Sequence, residues 1–174
     1  MSSFARATIA AISVFVVAPT ASAAGQTASA QLKNAAGADI GIATFTEAAS
    51  GVLIKFELKG LPPGPHGIHV HDTGTCEGDF TSAGAIFNPL GAQHGFYNDE
   101  GPMAGDLPNI FANADGTAVA EVLSPFLALT KDVEDGLFDT NGTALVVFDK
   151  ADDHLTDPDG DAGARLACGV ITLK

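Results

Sequence analysis

The chain has 174 residues, with 21 Asp and Glu against 8 Lys and Arg, for a formal net charge of −13 at pH 7. A surface this acidic repels phosphate backbones, which excludes a nucleic-acid partner, and it attracts cations weakly. The length suits a single domain with a sizeable core.

The first segment does not read as part of a fold. One basic residue, Arg6, precedes an apolar run over 7–18, and small residues follow at Ala21 and Ala23 in an A-x-A pattern. That pattern is a secretory signal peptide over 1–23, with cleavage after Ala23. The run is short for a membrane span, so residues 24–174 are expected to be free of the membrane, in the periplasm or outside the cell. The competing reading is an uncleaved N-terminal anchor. Export decides how the two cysteines are read: Cys76 and Cys168 are an even pair in an oxidising compartment, so a disulfide is the default.

After the leader, short strands are expected at 26–33, 40–47, 52–59, 66–71, 117–123, 143–149 and 168–173. The clearest is "VLIKFELK" (52–59), where Ile54, Phe56 and Leu58 alternate with Lys55, Glu57 and Lys59; a period of two marks a half-buried strand. "LPPGP" (61–65) and "NADGT" (113–117) carry turn chemistry. No stretch holds a helical period of useful length, so the fold class is all-β, a sandwich or a barrel. Two long stretches, 72–108 and 149–167, do not read as strands, and loops of that length in a compact domain are usually functional.

The first long loop starts at a histidine cluster. "HGIHVHDTGTC" (66–76) holds His66, His69 and His71, three of the five histidines. In a strand His69 and His71 point to one face, with backbones about 6.5–7 Å apart, so both imidazoles can converge on one ion. Two histidines do not complete a site, and the other ligands must come from elsewhere. A calcium loop starting at Asp157 does not supply them: its sixth position, glycine in such loops, is Ala162, and its twelfth, glutamate, is Cys168.

Six motifs occur in order: "HGIHVHDTGTC", "SAGAIFNP" (82–89), "HG" (94–95), "GDLPNI" (105–110), "VVFDKADD" (146–153) and "GARLACGVI" (163–171). Together they resemble the copper/zinc superoxide dismutases, in particular exported bacterial ones. The resemblance implies an eight-stranded Greek-key β-barrel whose two long loops hold the metal site. It also implies dismutation of superoxide by a copper ion that cycles between two oxidation states, and a zinc ion that shares one bridging histidine with copper.

Carried over residue by residue, the resemblance gives an incomplete site. His69 and His71 match two of four copper histidines, but the bridging position is Ile86 and the last copper position is Phe148. His94 and Asp106 match two zinc ligands, while the third zinc position is Met103. Asp152 matches the aspartate that links a copper histidine to a zinc histidine, and would here hydrogen-bond both His69 and His94. His66 matches a supporting position and is expected to bond backbone. Arg165 matches the residue that guides superoxide to copper, and serves as a catalytic residue only in an active enzyme; the alternative is an arginine that satisfies loop carbonyls. His154, Asp99 and Glu100 are expected in solvent.

Ile86, Met103 and Phe148 are all large and apolar, so packing is expected to have replaced coordination and closed the former metal cavity. The leading expectation is a dismutase-like protein with activity lost or much reduced, and at most weak binding of copper at low coordination or of zinc. The alternatives are a working dismutase with unusual ligands, acting on superoxide, and a metal-free interaction or scaffold domain. A homodimer is left open by the sequence.

Overall fold

The computed structural model describes residues 25–131 and 133–174. The expected signal peptide over 1–23 lies outside the described residues. Among those residues no helix is long and apolar enough to cross a membrane.

The strands are β1 (Thr27–Asn34), β2 (Asp39–Ala48), β3 (Gly51–Leu58), β4 (Gly64–His66), β5 (Ile68–His71), β6 (Ile110–Ala112), β7 (Ala118–Ser124), β8 (Ala144–Phe148) and β9 (Arg165–Leu173). The only other regular element among the described residues is one 3₁₀ turn, Thr81–Ala83. Seven strands form an antiparallel sheet in the order β5-β8-β9-β1-β2-β3-β7, and β4 pairs with β6. β4 and β5 are one strand interrupted at Gly67. With the two counted together, eight strands curl into a barrel whose last seam is the hairpin from β6 to β7, turned at 113–117. The β3–β4 and β7–β8 connections pass between strands that are not neighbours, which is the Greek-key feature.

The expected strands are all present, with three differences. The 66–71 strand is broken because the Gly67 amide leaves the ladder and donates to the Lys150 carbonyl. A Cβ at Gly67 would stand 3.0 Å from the Ala162 Cβ, so any side chain here would push the second long loop back by a few tenths of an ångström. The short strand β6 falls inside a stretch with no clear alternation. A third long connection, 125–143, also escaped the sequence. Its Leu127, Leu129 and Leu137 are fully buried and join the main core, so this segment closes a barrel end.

The period of two sorts the core into two layers. Ala28, Ala30, Leu32, Val52, Ile54, Phe56, Ile68, Val70, Leu145 and Val147 fill the barrel. The alternate residues of β8 and β9, Ala144, Val146, Phe148 and Cys168, pack outside it with Phe80, Ala83 and Ala162 from the loops. Both faces of β5 and β8 are therefore buried. His69 and His71, out of phase with Ile68 and Val70, lie on the outer wall beneath the two loops. The Cys76–Cys168 disulfide ties the first of these loops to β9, with a Cα–Cα distance of 5.7 Å.

Candidate metal site

Asp152 is the centre of the buried polar cluster. Its Oδ2 accepts from His69 Nε2 at 2.8 Å, and its Oδ1 accepts from His94 Nε2 at 3.0 Å and from the His154 amide at 2.6 Å. Burial opposes a charge here, but these donors outweigh it and hold the carboxyl well below the usual carboxylate range. Two further groups fix its place. Asn109 clamps the Asp152 backbone, donating to its carbonyl at 2.8 Å and accepting from its amide at 2.9 Å. Gly160, at φ 66°, leaves the room that a Cβ would take from Asp152 Oδ1 and His94 Nε2.

His94 is buried between two carboxylates. Its Nδ1 donates to Asp106 Oδ1 at 2.9 Å while Nε2 faces Asp152. Both ring nitrogens are thus donors, which requires an imidazolium. Burial alone favours the neutral ring, but hydrogen bonds to Asp106 and Asp152 win and push the pKa up to about 10. Asp106 Oδ2 is in turn filled by the amides of Gly95 at 2.8 Å and Met103 at 2.9 Å. The His94 amide donates to Asp157 Oδ1 at 2.9 Å, so the acidic loop closes over the ring. A proton on His94 occupies the position between the two residues that an ion would bridge.

The copper-type half is different. His71 Nδ1 donates to the Gly84 carbonyl at 3.0 Å, which leaves the lone pair on Nε2. Burial, with the nearby Arg165 charge, pushes His71 down to about 3, so the ring is neutral. His71 Nε2 and His69 Nδ1 are buried with no hydrogen-bond partner among the described residues. Their ring centroids are 6.4 Å apart. The Phe148 ring lies 5.1 Å from His69 and stacks on His71 at 5.9 Å. His69, His94 and Asp106 also offer atoms that lie within 4.8 Å of one another, and an ion among these three must first displace the His94 proton.

The three large apolar residues behave differently from one another. Phe148 and Ile86 are buried, and Ile86 bridges backbone to backbone with His71. Met103 is only partly buried and faces a cavity of about 530 Å³, shared with His71, Ile86 and Arg165. The expected closure by packing therefore holds on the Phe148 side and fails on the Met103 side. The physical reason is the 125–143 connection, which stands off as the far wall and contributes Val133, Glu134 and Asp139.

The remaining candidates fall into place by contact. Arg165 donates from Nη1 to the Phe80 carbonyl at 2.6 Å and from Nη2 to the Gly84 carbonyl at 2.8 Å, so it satisfies loop carbonyls while it lines the cavity. His66 Nδ1 lies 2.7 Å from the Phe148 carbonyl and Nε2 2.7 Å from the Pro62 carbonyl, as expected of a backbone partner. Asp99 and Glu100 are exposed. His154 corrects the sequence reading. Its ring is tucked between Phe96 at 5.1 Å and Tyr97 at 5.9 Å, with Nδ1 3.3 Å from Asp152 Oδ2 and Nε2 3.1 Å from Asn109 Nδ2. Aromatic cover from 96–97 draws it out of solvent and into the support of Asp152. Asn109 and Asp157 were missed as site residues; "GDLPNI" contains the first, but nothing local shows that it clamps a loop 43 residues away.

A Greek-key barrel with a buried His/Asp cluster on its outer wall, beneath loops tied by a disulfide, is a metal-site barrel by architecture. A family model, copper/zinc superoxide dismutase (SODC), matches residues 40–171. The chain is 48% identical over 146 residues to superoxide dismutase [Cu-Zn] 2 of Aquifex aeolicus, covering 83% of this chain and 85% of that one. It is 49% identical over 147 residues to superoxide dismutase [Cu-Zn] of Caulobacter vibrioides, covering 83% and 84%. The superoxide dismutase-like protein YojM of Bacillus subtilis is 39% identical over 144 residues, covering 81% and 74%. Among solved structures, a SOD-like protein from Bacillus subtilis carrying two substitutions to histidine superposes with a TM-score of 0.80 at 39% identity, over 86% of this chain and 98% of that one. The chain belongs to the copper/zinc superoxide dismutase family.

Proposed function

We propose that this chain is an exported, dismutase-like member of its family that binds metal weakly and does not dismutate superoxide efficiently. The observation that carries this reading is the Phe148 ring packed against both His69 and His71, with Met103, Ile86 and Phe148 at the three positions where the resemblance expects histidine. The unpartnered His69 Nδ1 and His71 Nε2 fit a copper ion, whose chemistry in the family is one-electron cycling. Cu(II) prefers a tetragonal set of N and O donors, and two imidazoles with a phenylalanine beside them do not supply it. The field at the cavity also argues against an anionic substrate. Arg165 is one positive charge among Asp72, Glu134, Asp139 and Asp159. Export is supported by the disulfide, since such bonds persist in oxidising compartments.

The test is to load residues 24–174 with copper and zinc, desalt, and measure bound metal by elemental mass spectrometry and dismutase turnover on the same sample. Substoichiometric metal and negligible turnover are expected. Near-stoichiometric copper with turnover would overturn the reading in favour of a working dismutase with unusual ligands, the alternative favoured by the names of the Aquifex and Caulobacter relatives.

A further inference from the structure

We propose that a second cleft, away from the histidines, binds an amphiphilic organic cation: a small apolar body carrying one ammonium group. The cleft encloses about 620 Å³ between the loop over 88–104 and the 125–143 connection, a volume that suits a small organic ligand. It meets the cavity beside His71 only at Asn88, Pro89 and Glu134. No part of the buried His/Asp cluster lines it, so the inference stands apart from the reading above.

The walls are apolar and already in place. Leu90, Pro102, Ala104, Pro125 and Phe126 line the cleft, with Leu90 74% and Phe126 41% exposed. Apolar side chains that converge on a concavity, rather than lying scattered, mark a binding site. The Asn88 side chain closes the turn that carries Leu90: its Nδ2 donates to the Ala92 carbonyl at 2.8 Å and its Oδ1 accepts from the Ala92 amide at 3.0 Å. On the other wall the Ala128 amide donates to the Asp135 carbonyl at 2.9 Å, and the buried Leu127 and Leu129 anchor that segment in the core. A ligand therefore enters walls that need little ordering, which is where affinity is otherwise lost.

Charge decides the class of ligand. Glu134 and Asp135 stand in the cleft wall, and no Lys, Arg or His lines it among the described residues. Neither carboxylate joins an ion pair among those residues. An ammonium group complements this rim, and the exposed Phe126 ring favours a cation as well. An anion with the same apolar body is repelled by both carboxylates.

The test uses phenylbutylamine and phenylbutyrate, which share an apolar body and carry opposite charges at pH 7. Residues 24–174 would be titrated with each, with backbone amide NMR reading both affinity and place. The amine is expected to bind at least about 10-fold more tightly than the carboxylate, with shifts confined to 88–92, 101–104 and 125–135. The double variant Glu134→Gln, Asp135→Asn changes charge at side chains outside the core, and is expected to bring the two probes to equal affinity. Leu90→Ser is expected to weaken both probes by about 3-fold. No binding of the amine, equal binding of both probes by the wild type, or an unchanged preference in the double variant overturns the proposal. Shifts centred elsewhere overturn it too, as does self-association of the free protein that covers the same residues in a dilution series.

Discussion

Replacing Asp152 by Asn exchanges one carboxylate oxygen for an NH2 group without changing the shape of the side chain. In the native cluster both oxygens accept: Oδ2 from His69, and Oδ1 from His94 and the His154 amide. Turned towards His94, the amide NH2 meets an imidazolium N–H as a donor–donor contact; turned towards His69, it forces that ring into the Nδ1–H tautomer so that Nε2 can accept. The larger loss is electrostatic, because His94 keeps its positive charge in a buried position with Asp106 as its one remaining anion. Breaking a buried charged pair from one side costs about 3–5 kcal/mol. For a domain of this size that lowers Tm by roughly 6–20 °C. Urea and thermal unfolding of metal-free protein measure it, and NMR titration of His94 should find its pKa well below the native value of about 10. A stability loss under ~1 kcal/mol, no more than an exposed ion pair is worth, with the His94 pKa unmoved, would refute the view that Asp152 holds the cluster together.

Metal-free stability should peak near pH 6.5, the ordinary histidine value. His71, pushed down to about 3, binds its proton more readily unfolded, so stability falls as pH drops from 6.5 towards 3; His94, pushed up to about 10, favours the folded state below 6.5 and loses that advantage as pH rises towards 10. Each limb has a slope near 1.4 kcal/mol per pH unit, and urea midpoints that stay flat from pH 6.5 to 9 would contradict the His94 assignment. Replacing Cys76 and Cys168 by Ser removes a crosslink with a sequence separation of 92 and should cost about 4–5 kcal/mol on the chain-entropy account, read as a lower urea midpoint than oxidised wild type. The triple change Ile86→His, Met103→His and Phe148→His should raise bound copper and zinc towards stoichiometry and bring dismutase turnover with it. If the triple variant folds and takes up no more metal than wild type, the three positions are not what limits the site.

The alternation of 52–59 marks β3 and its buried face from the sequence alone, because a strand's period of two is a local property of the chain. The same locality places His69 and His71 together on one face of β5, and an even cysteine pair, read as exported, is enough to predict the loop tie. Order and spacing of six motifs carry the family, and the reading of Ile86, Met103 and Phe148 as replaced ligand positions rests on those same motifs. The barrel interruption at Gly67 is not legible, since it depends on Ala162 and Lys150 arriving from another loop. Nor is the state of His94, whose partner Asp152 is 58 residues away; its charge follows from two carboxylates meeting one buried ring, which no local pattern encodes. The direction of Met103 is the sharpest case. Composition makes it one more apolar side chain. Only the 125–143 connection, as the far wall of a cavity on its side, leaves Met103 partly exposed while Phe148 is buried.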